Sequence, residues 1–259
     1  MNSNNLPTFF HRIFSVWYRH VLVYTRNLIS NGLPPFMEPL IFLAGVGIGL
    51  GKFIGTMENL PYLEFLATAL LVTSAMFTSA FECSYGTFIR LEFDKVYDGM
   101  LSAPLTVNNV LLGEILWAGT KGFFFSFAVL LIMSIFGVLP LPHALLTPFI
   151  GFLTGVMFGA ISLWITSFVK TINHFSFYFT GILSPMFFFS GVIFPISHLP
   201  KVIQPLAWIF PLSHPVALSR HVCKGEYDFV LLLHLLYIIG MTIVAGFLGF
   251  RGLRKRMIR

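Results

Sequence analysis

Charge is scarce in this chain of 259 residues. Lys and Arg number 16 and Asp and Glu 10, together 10% of the sequence, where a soluble domain carries about 25%. From Gly122 to Val169 there are 48 residues without one Asp, Glu, Lys or Arg. Hydrophobic residues make up 56% of the chain and the mean hydropathy is +0.85. A soluble reading would need a core larger than one domain builds, so the composition points to a membrane protein. Cysteine is nearly absent: Cys83 and Cys223 are too few and too distant for a disulfide framework or a zinc site. Acidic residues are missing before Glu38 and after Asp228, whereas Arg12, Arg19 and Arg26 stand near the start and Arg251, Arg254, Lys255, Arg256 and Arg259 at the end. A nucleic-acid surface would set such basicity in a polar, foldable domain; here it flanks apolar spans. No basic region followed by a clean apolar core opens the chain, so the N-terminus does not read as a cleaved signal peptide.

Chemical motifs are missing too. The stretch GVGIGLGK (45–52) looks like a phosphate loop, but Val46 stands where the first glycine belongs and Phe53 follows the lysine. Gly45/Gly49 and Gly47/Gly51, like Gly151, Gly155 and Gly159 later on, read instead as small-residue pairs for close helix packing. The eight histidines show no H-E-x-x-H spacing and there is no G-x-S-x-G, so no metal or catalytic residue is assigned. A membrane-embedded enzyme would need acid/base or metal-binding groups converging at one depth, and an ion-coupled secondary transporter paired mid-membrane carboxylates and an inverted repeat. Neither pattern is visible.

What remains is a set of apolar runs. A bilayer-spanning helix needs about 20 mostly apolar residues, and six stretches supply them: 35–55, 62–84, one ending near Leu139, one beginning near Leu145, 173–194 and 229–250. The sequence predicts an all-α membrane protein of one domain. Both basic ends favour the cytoplasm, which an even number of spans permits. Segment 90–109 and Lys170 then fall inside, and the loops near 52–61, 140–144 and 195–228 outside. The last of these carries Lys201, Arg220 and Lys224, outweighed by the five basic residues at the C-terminus.

Two further segments have their own character. In 8–28, Phe9, Phe10, Ile13, Phe14, Trp17 and Val21 recur at helical spacing while Arg12, Arg19 and Arg26 occupy another face. That pattern predicts an amphipathic helix in the headgroup plane, with a cytosolic helix packed on a partner subunit as the alternative. Segment 195–220 is apolar but broken by Pro195, Pro200, Pro205, Pro211 and Pro215. Helices so short cannot span, and it is read as a re-entrant helical hairpin before the last span.

Ionisable groups in or near spans are suspect by default. Glu38, Glu82, Glu114 and Lys121 all fall near cytoplasmic span ends, where snorkelling or ion pairing explains them, with a wet translocation pathway as the alternative. The aromatic clusters Phe123–Phe125 and Phe187–Phe189 read as packing, or as the lining of a path for a lipid-like or sugar-bearing substrate. Between the second and third spans, RLEFDKVYDGMLSAPLT (90–106) packs five charges into nine residues.

The whole chain resembles the membrane subunits of ABC-2 type transporters, in particular the NodJ-like exporters of bacteria. The most specific stretches are FFSGVIFPISHLP (188–200) and PLSHPVALSR (211–220), in which Gly191, Pro211, Leu212, His214 and Arg220 fill the family signature. YDGMLSAPLT (97–106) resembles the family's short helix ending at Ser/Ala-Pro. The resemblance implies a permease subunit in the bacterial inner membrane, working as a homodimer on two copies of a separate ATP-binding subunit that carries the ATP and magnesium. It implies a coupling segment at 92–104, with Arg90, Glu92, Asp94, Lys95, Asp98, Gly99 and Pro104 as its residues. In this reading the second span runs on into 92–101 until Gly99 and Pro104 break it. The cargo implied is an amphipathic or lipid-linked, saccharide-bearing molecule, with a hydrophobic drug-like one as the alternative.

Overall fold

The computed structural model describes residues 7–27, 33, 37, 41, 42, 45, 49, 53–139 and 142–258. Helix α1 (Phe9–Arg26) precedes the region of the first expected span, which lies largely outside the described residues together with Glu38. A two-stranded ribbon, β1 (Thr56–Met57) against β2 (Leu60–Pro61), then leads into α2 (Tyr62–Phe93). A short α3 (Val96–Leu101) and α4 (Val107–Ile135) follow. Next come α5 (Thr147–Thr166), a helical run α6 over 175–189, short α7 (Gln204–Ile209), α8 (Ser213–Lys224) and the long α9 (Phe229–Met257).

The ribbon is a small departure from an all-helical reading. Glu58 and Asn59 both hold positive φ, 49° and 63°, the backbone of a type I′ hairpin turn. Four helices among the described residues are long and apolar enough to cross a membrane: α2, α4, α5 with the 3₁₀ turn before it, and α9. At 29 residues, α4 and α9 reach about 43 Å, beyond a hydrocarbon core of about 30 Å. The expected fifth span is present only as α6, in which a π-helical turn over Phe179–Leu183 joins two short α-helical pieces. Segment 195–220 consists of short helices, as its prolines require, and α8 seats its buried face against α2 and α9.

Close backbone approach sets the core. A Cβ on Gly122 would lie 2.6 Å from the carbonyl oxygen of Gly151, and one on Gly155 would lie 2.7 Å from that of Ala118. Helices α4 and α5 therefore cross with their main chains nearly touching, as the glycine spacing in α5 leads one to expect. Across this seam Ser79 Oγ of α2 donates to Ala118 O at 2.8 Å. Gly249 brings α9 against the backbone of Trp164, while the rest of α9 exposes Leu232, Leu236, Ile243 and Phe247. A Cβ on Gly45 or Gly49 would meet nothing within 4 Å among the described residues.

Helix α1 does not lie free. It packs on α4, burying Val16 and His20 and leaving Phe9, Phe10 and Phe14 exposed. A methyl group at Gly113 would overlap Val16, which shows how closely the two helices meet.

Candidate functional site: an ion-pair network beneath a short polar helix

At the end of α2 the hydrogen-bond ladder widens to π-helical turns at Glu82–Gly86 and Ile89–Phe93, insertions common at functional sites. They carry Glu82 and Arg90 toward the same centre. Arg90 Nη1 donates to Glu82 Oε1 at 2.8 Å, and Arg90 Nη2 donates to Glu114 Oε2 at 2.7 Å. Lys121 Nζ holds the other oxygen of Glu82 at 3.0 Å. Two carboxylates thus balance two cations, and Glu114 and Lys121, two turns apart on α4, meet through α2.

Glu114 is fully buried. Its Oε1 also receives the Tyr97 hydroxyl at 2.7 Å and His20 Nε2 at 3.0 Å. A carboxylate can only accept, so the His20 proton sits on Nε2. Burial, and then the charge of Glu114, pushes the Tyr97 phenol well above its ordinary value, so it remains a donor. Arg90 Nε completes the ring to Tyr97 at 3.3 Å, and Trp17 Nε1 adds a bond from α1 to Thr120 at 2.9 Å. One buried carboxylate therefore joins α1, α2, α3 and α4.

His20, Glu82 and Glu114 place possible ligand atoms within 4.8 Å of one another. Arg90 and Lys121 already occupy three of the four carboxylate oxygens, Tyr97 and His20 itself occupy the fourth, and a divalent cation would have to sit beside both Arg90 and Lys121. The arrangement is that of an ion-pair network.

The polar segment differs from its sequence reading in one respect. Helix α2 stops at Phe93, before 92–101 is traversed, and Lys95 turns the chain with φ 52°. That is a left-handed conformation unusual for a side chain of its size. Gly99 lies inside α3 and does not break it. Pro104 falls in the following turn, after which Thr106 caps α4 in a reciprocal box with Asn109. Helix α3 buries Tyr97 and Met100 and leaves Asp94, Lys95, Asp98 and Gly99 exposed at its end and outer face. Glu92 instead pairs with Arg256 Nη2 at 2.6 Å, while Arg256 Nη1 donates to Thr166 O and Val169 O at 2.7 Å each. The end of α9 thus satisfies the last carbonyl of α5, which has no partner within that helix, and one in the turn that follows it.

Three participants escaped the sequence reading: His20, Tyr97 and Arg256. His20 stands four residues after Val16, on the inner face of α1, and that spacing was the available signal. Tyr97 is the one aromatic within α3. Arg256 was indistinguishable from the basic residues around it.

At the opposite end of the bundle the signature positions converge. Gly191, with φ +79°, adopts a turn that a side chain would strain. Its carbonyl accepts from Arg220 Nη2 at 3.0 Å. Arg220 lies 3.7 Å over the Phe65 ring, and burial lowers its pKa to about 10, leaving it charged at neutral pH. Leu212 is fully buried at the start of α8, next to Pro211. His214 Nε2 bonds Trp208 O at 3.0 Å, so its Nδ1 accepts from His234 Nδ1 at 2.9 Å. Among the aromatic clusters, Phe123 packs edge-on against Phe149, and Phe187 lines an apolar cavity of about 200 Å³ with Phe42 and Phe77.

The chain's residues 11–223 match the family model described as ABC-2 type transporter. The chain belongs to the ABC-2 type transporter membrane family. Membrane components of that family are transport subunits. The chain is 32% identical over 248 residues to Nodulation protein J of Rhizobium leguminosarum bv. trifolii, covering 95% of this chain and 94% of the relative. It is 31% identical over 244 residues to Nodulation protein J of Sinorhizobium fredii, covering 94% and 93%. It is 24% identical over 172 residues to the Inner membrane transport permease YadH of Escherichia coli, covering 66% and 67%. The long apolar helices agree with the membrane location of this family.

Proposed function

We propose that this chain is the permease subunit of an ATP-driven exporter of the bacterial inner membrane, with both termini cytoplasmic. In this reading it acts as a homodimer on two copies of a separate ATP-binding subunit, which supplies the ATP and magnesium. The cargo is an amphipathic or lipid-linked, saccharide-bearing molecule, as the likeness to the nodulation proteins suggests. The observation that carries the reading is α3 and the turn before it: Asp94 and Lys95 in the turn and Asp98 on the helix are exposed, while Tyr97 of α3 is bonded to Arg90 and Glu114. A docking subunit pushing on such a helix would move α1, α2 and α4 together, because one buried carboxylate ties them. Arg256 and Glu92 would carry the same displacement into α5 and α9. The apolar cavity at Phe187 favours a second cargo class, hydrophobic drug-like molecules, on the same scaffold.

The test is co-purification with a candidate ATP-binding subunit, followed by measurement of ATPase activity with and without lipid substrates. The double substitution Asp94→Lys, Asp98→Lys is expected to weaken assembly or transport while the chain still inserts into the membrane. Full transport by the double variant would make these residues a solvated loop. Failure to bind any ATP-binding subunit would overturn the reading as a whole.

A further inference from the structure

The basic residues at the end of α9 do not share a task. Arg256 is spent on Glu92 and on the carbonyls of Thr166 and Val169. Arg251, Arg254 and Lys255 are exposed, and their side chains make no hydrogen bond or ion pair among the described residues. These three line a groove between the end of α9 and the start of α4. One part of it, about 890 Å³, is walled by Phe247, Phe250, Ile258 and Asn108 beside the three cations. The other, about 400 Å³, shares Arg254, Asn108 and Ile258 and continues along the α3–α4 turn to Leu101 and Leu105. Among the described residues no Asp or Glu lines either part.

Depth along the helix narrows the occupant. Ile243, Phe247, Arg251, Arg254 and Ile258 follow one another at spacings of three and four, so they share one face of α9. Ile243 and Phe247 are each 65% exposed, and α9 is the least buried of the four long helices. Arg251 lies about 33 Å along the axis from Phe229, where the helix begins, against a hydrocarbon core of about 30 Å. This face is therefore apolar where it meets hydrocarbon and cationic just beyond. A soluble anion or an acidic protein segment would match only the cationic half. A second copy related by a two-fold axis through this face would set the same cations against each other. A zwitterionic lipid would bring its own ammonium group to three unpaired cations. A phospholipid with net negative charge fits both halves.

We infer that this groove holds one anionic phospholipid as a resident ligand. Its phosphate sits among Arg251, Arg254 and Lys255, Asn108 donates to the headgroup, and an acyl chain lies along Phe247 and Ile243. The contact needs neither an ATP-binding subunit nor cargo, so its failure and the failure of the coupling reading are separate results.

The test titrates the full chain, delipidated in a nonionic detergent, with dioleoylphosphatidylglycerol or dioleoylphosphatidylcholine and counts bound lipid by native mass spectrometry. One phosphatidylglycerol per chain is expected, with phosphatidylcholine about 10-fold weaker or more. Each basic residue beside anionic lipid contributes about 5-fold. The pair Arg254→Gln, Lys255→Gln should therefore weaken binding about 25-fold, and Arg251→Gln alone about 5-fold, which keeps the test in hand should the pair not fold. The pair Arg26→Gln, Lys170→Gln removes two exposed charges outside the groove and should leave binding unchanged, which separates a site from the general attraction of a basic chain. Phosphatidylglycerol should also raise the melting temperature of the parent, and thermal unfolding shows whether each variant is folded. Equal affinity for the two lipids, undiminished binding in the folded groove variants, or an equal loss in the control pair would each overturn the inference. Displacement by deacylated glycerophosphoglycerol at concentrations matching the lipid would overturn it too, since the occupant would then be a soluble phosphodiester.

Discussion

Replacing Glu114 with Gln keeps the shape of the side chain at the centre of the network and removes its charge. Glu114 is wholly buried and accepts from Arg90, Tyr97 and His20. The amide would turn one of its two oxygens into a donor aimed at groups that are themselves donors. It would also leave Glu82 alone against both Arg90 and Lys121, with uncompensated positive charge in an enclosed site. Breaking a buried pair in this way costs about 3–5 kcal/mol. At roughly 2–4 °C per kcal/mol for a large domain, the melting temperature of the purified chain should fall by about 10 °C. The second half of the experiment is Arg90→Gln in the same chain, which restores the balance between Glu82 and Lys121. If charge compensation dominates, the double variant should be more stable than the sum of the two single losses by about 1–3 kcal/mol. Limited proteolysis between α2 and α4 would report release of α3, since Tyr97 is bonded only to Arg90 and Glu114 among the described residues. Unchanged melting in Glu114→Gln, or strictly additive losses in the double variant, would refute the view that this network holds the four helices together.

Two other outcomes follow from the geometry. Gly122→Ala would set a methyl group 2.6 Å from the Gly151 carbonyl oxygen and should lower stability by about 1–3 kcal/mol, read by thermal unfolding. Gly246→Ala, whose Cβ would meet only Ala160 at an ordinary 3.9 Å, should be close to neutral; equal effects would dismiss backbone contact as the reason for the α4–α5 glycines. Burial lowers the His214 pKa below its ordinary 6.5, against the opposing bond to Trp208 O. The folded chain then binds fewer protons than the unfolded one, so this contribution to stability is complete above about pH 6.5 and is lost as pH falls through the lowered value. A pH series of melting temperatures should slope less below 6.5 in His214→Gln than in the parent, and parallel curves would exclude His214 as the titrating group.

Periodicity and punctuation make much of this fold legible. Apolar runs locate α2, α4, α5 and α9, because a helix in hydrocarbon satisfies its own backbone and needs only length and apolar side chains. The prolines of 195–220 forecast short helices, and the glycines of α5 forecast a close crossing. The end of α2 is less legible. Whether charged residues after a span continue the helix or turn depends on partners far away in sequence: Arg90 is committed to Glu114, 24 residues on, and Glu92 to Arg256, 164 residues on. With those bonds made, the turn falls at Lys95, and Gly99, the obvious local breaker, rides inside a helix. The candidate site was half visible for the same reason. Glu82, Glu114 and Lys121 stand out as charges in apolar surroundings, whereas His20 and Tyr97 become part of the site only once α1 and α3 are docked.

The choice of ions over apolar packing at this junction has a physical consequence. Replacing a buried ion pair by well-packed hydrophobic residues is often neutral or stabilising, so stability alone does not call for five polar groups around Glu114. Apolar side chains, however, can slide past one another with small changes in energy, while a carboxylate bonded to three donors loses a whole bond when any one of them moves away. Such a junction resists gradual deformation and transmits displacement. In a chain whose α3 buries one face and offers charged groups at its end and outer face, that stiffness is what a subunit pressing from outside would require. It also predicts where compliance must lie. Helices that move would have to yield at points without such bonds, and the π-helical turn at Phe179–Leu183, which carries none of the charged groups of the network, is a place where the regular ladder is already interrupted.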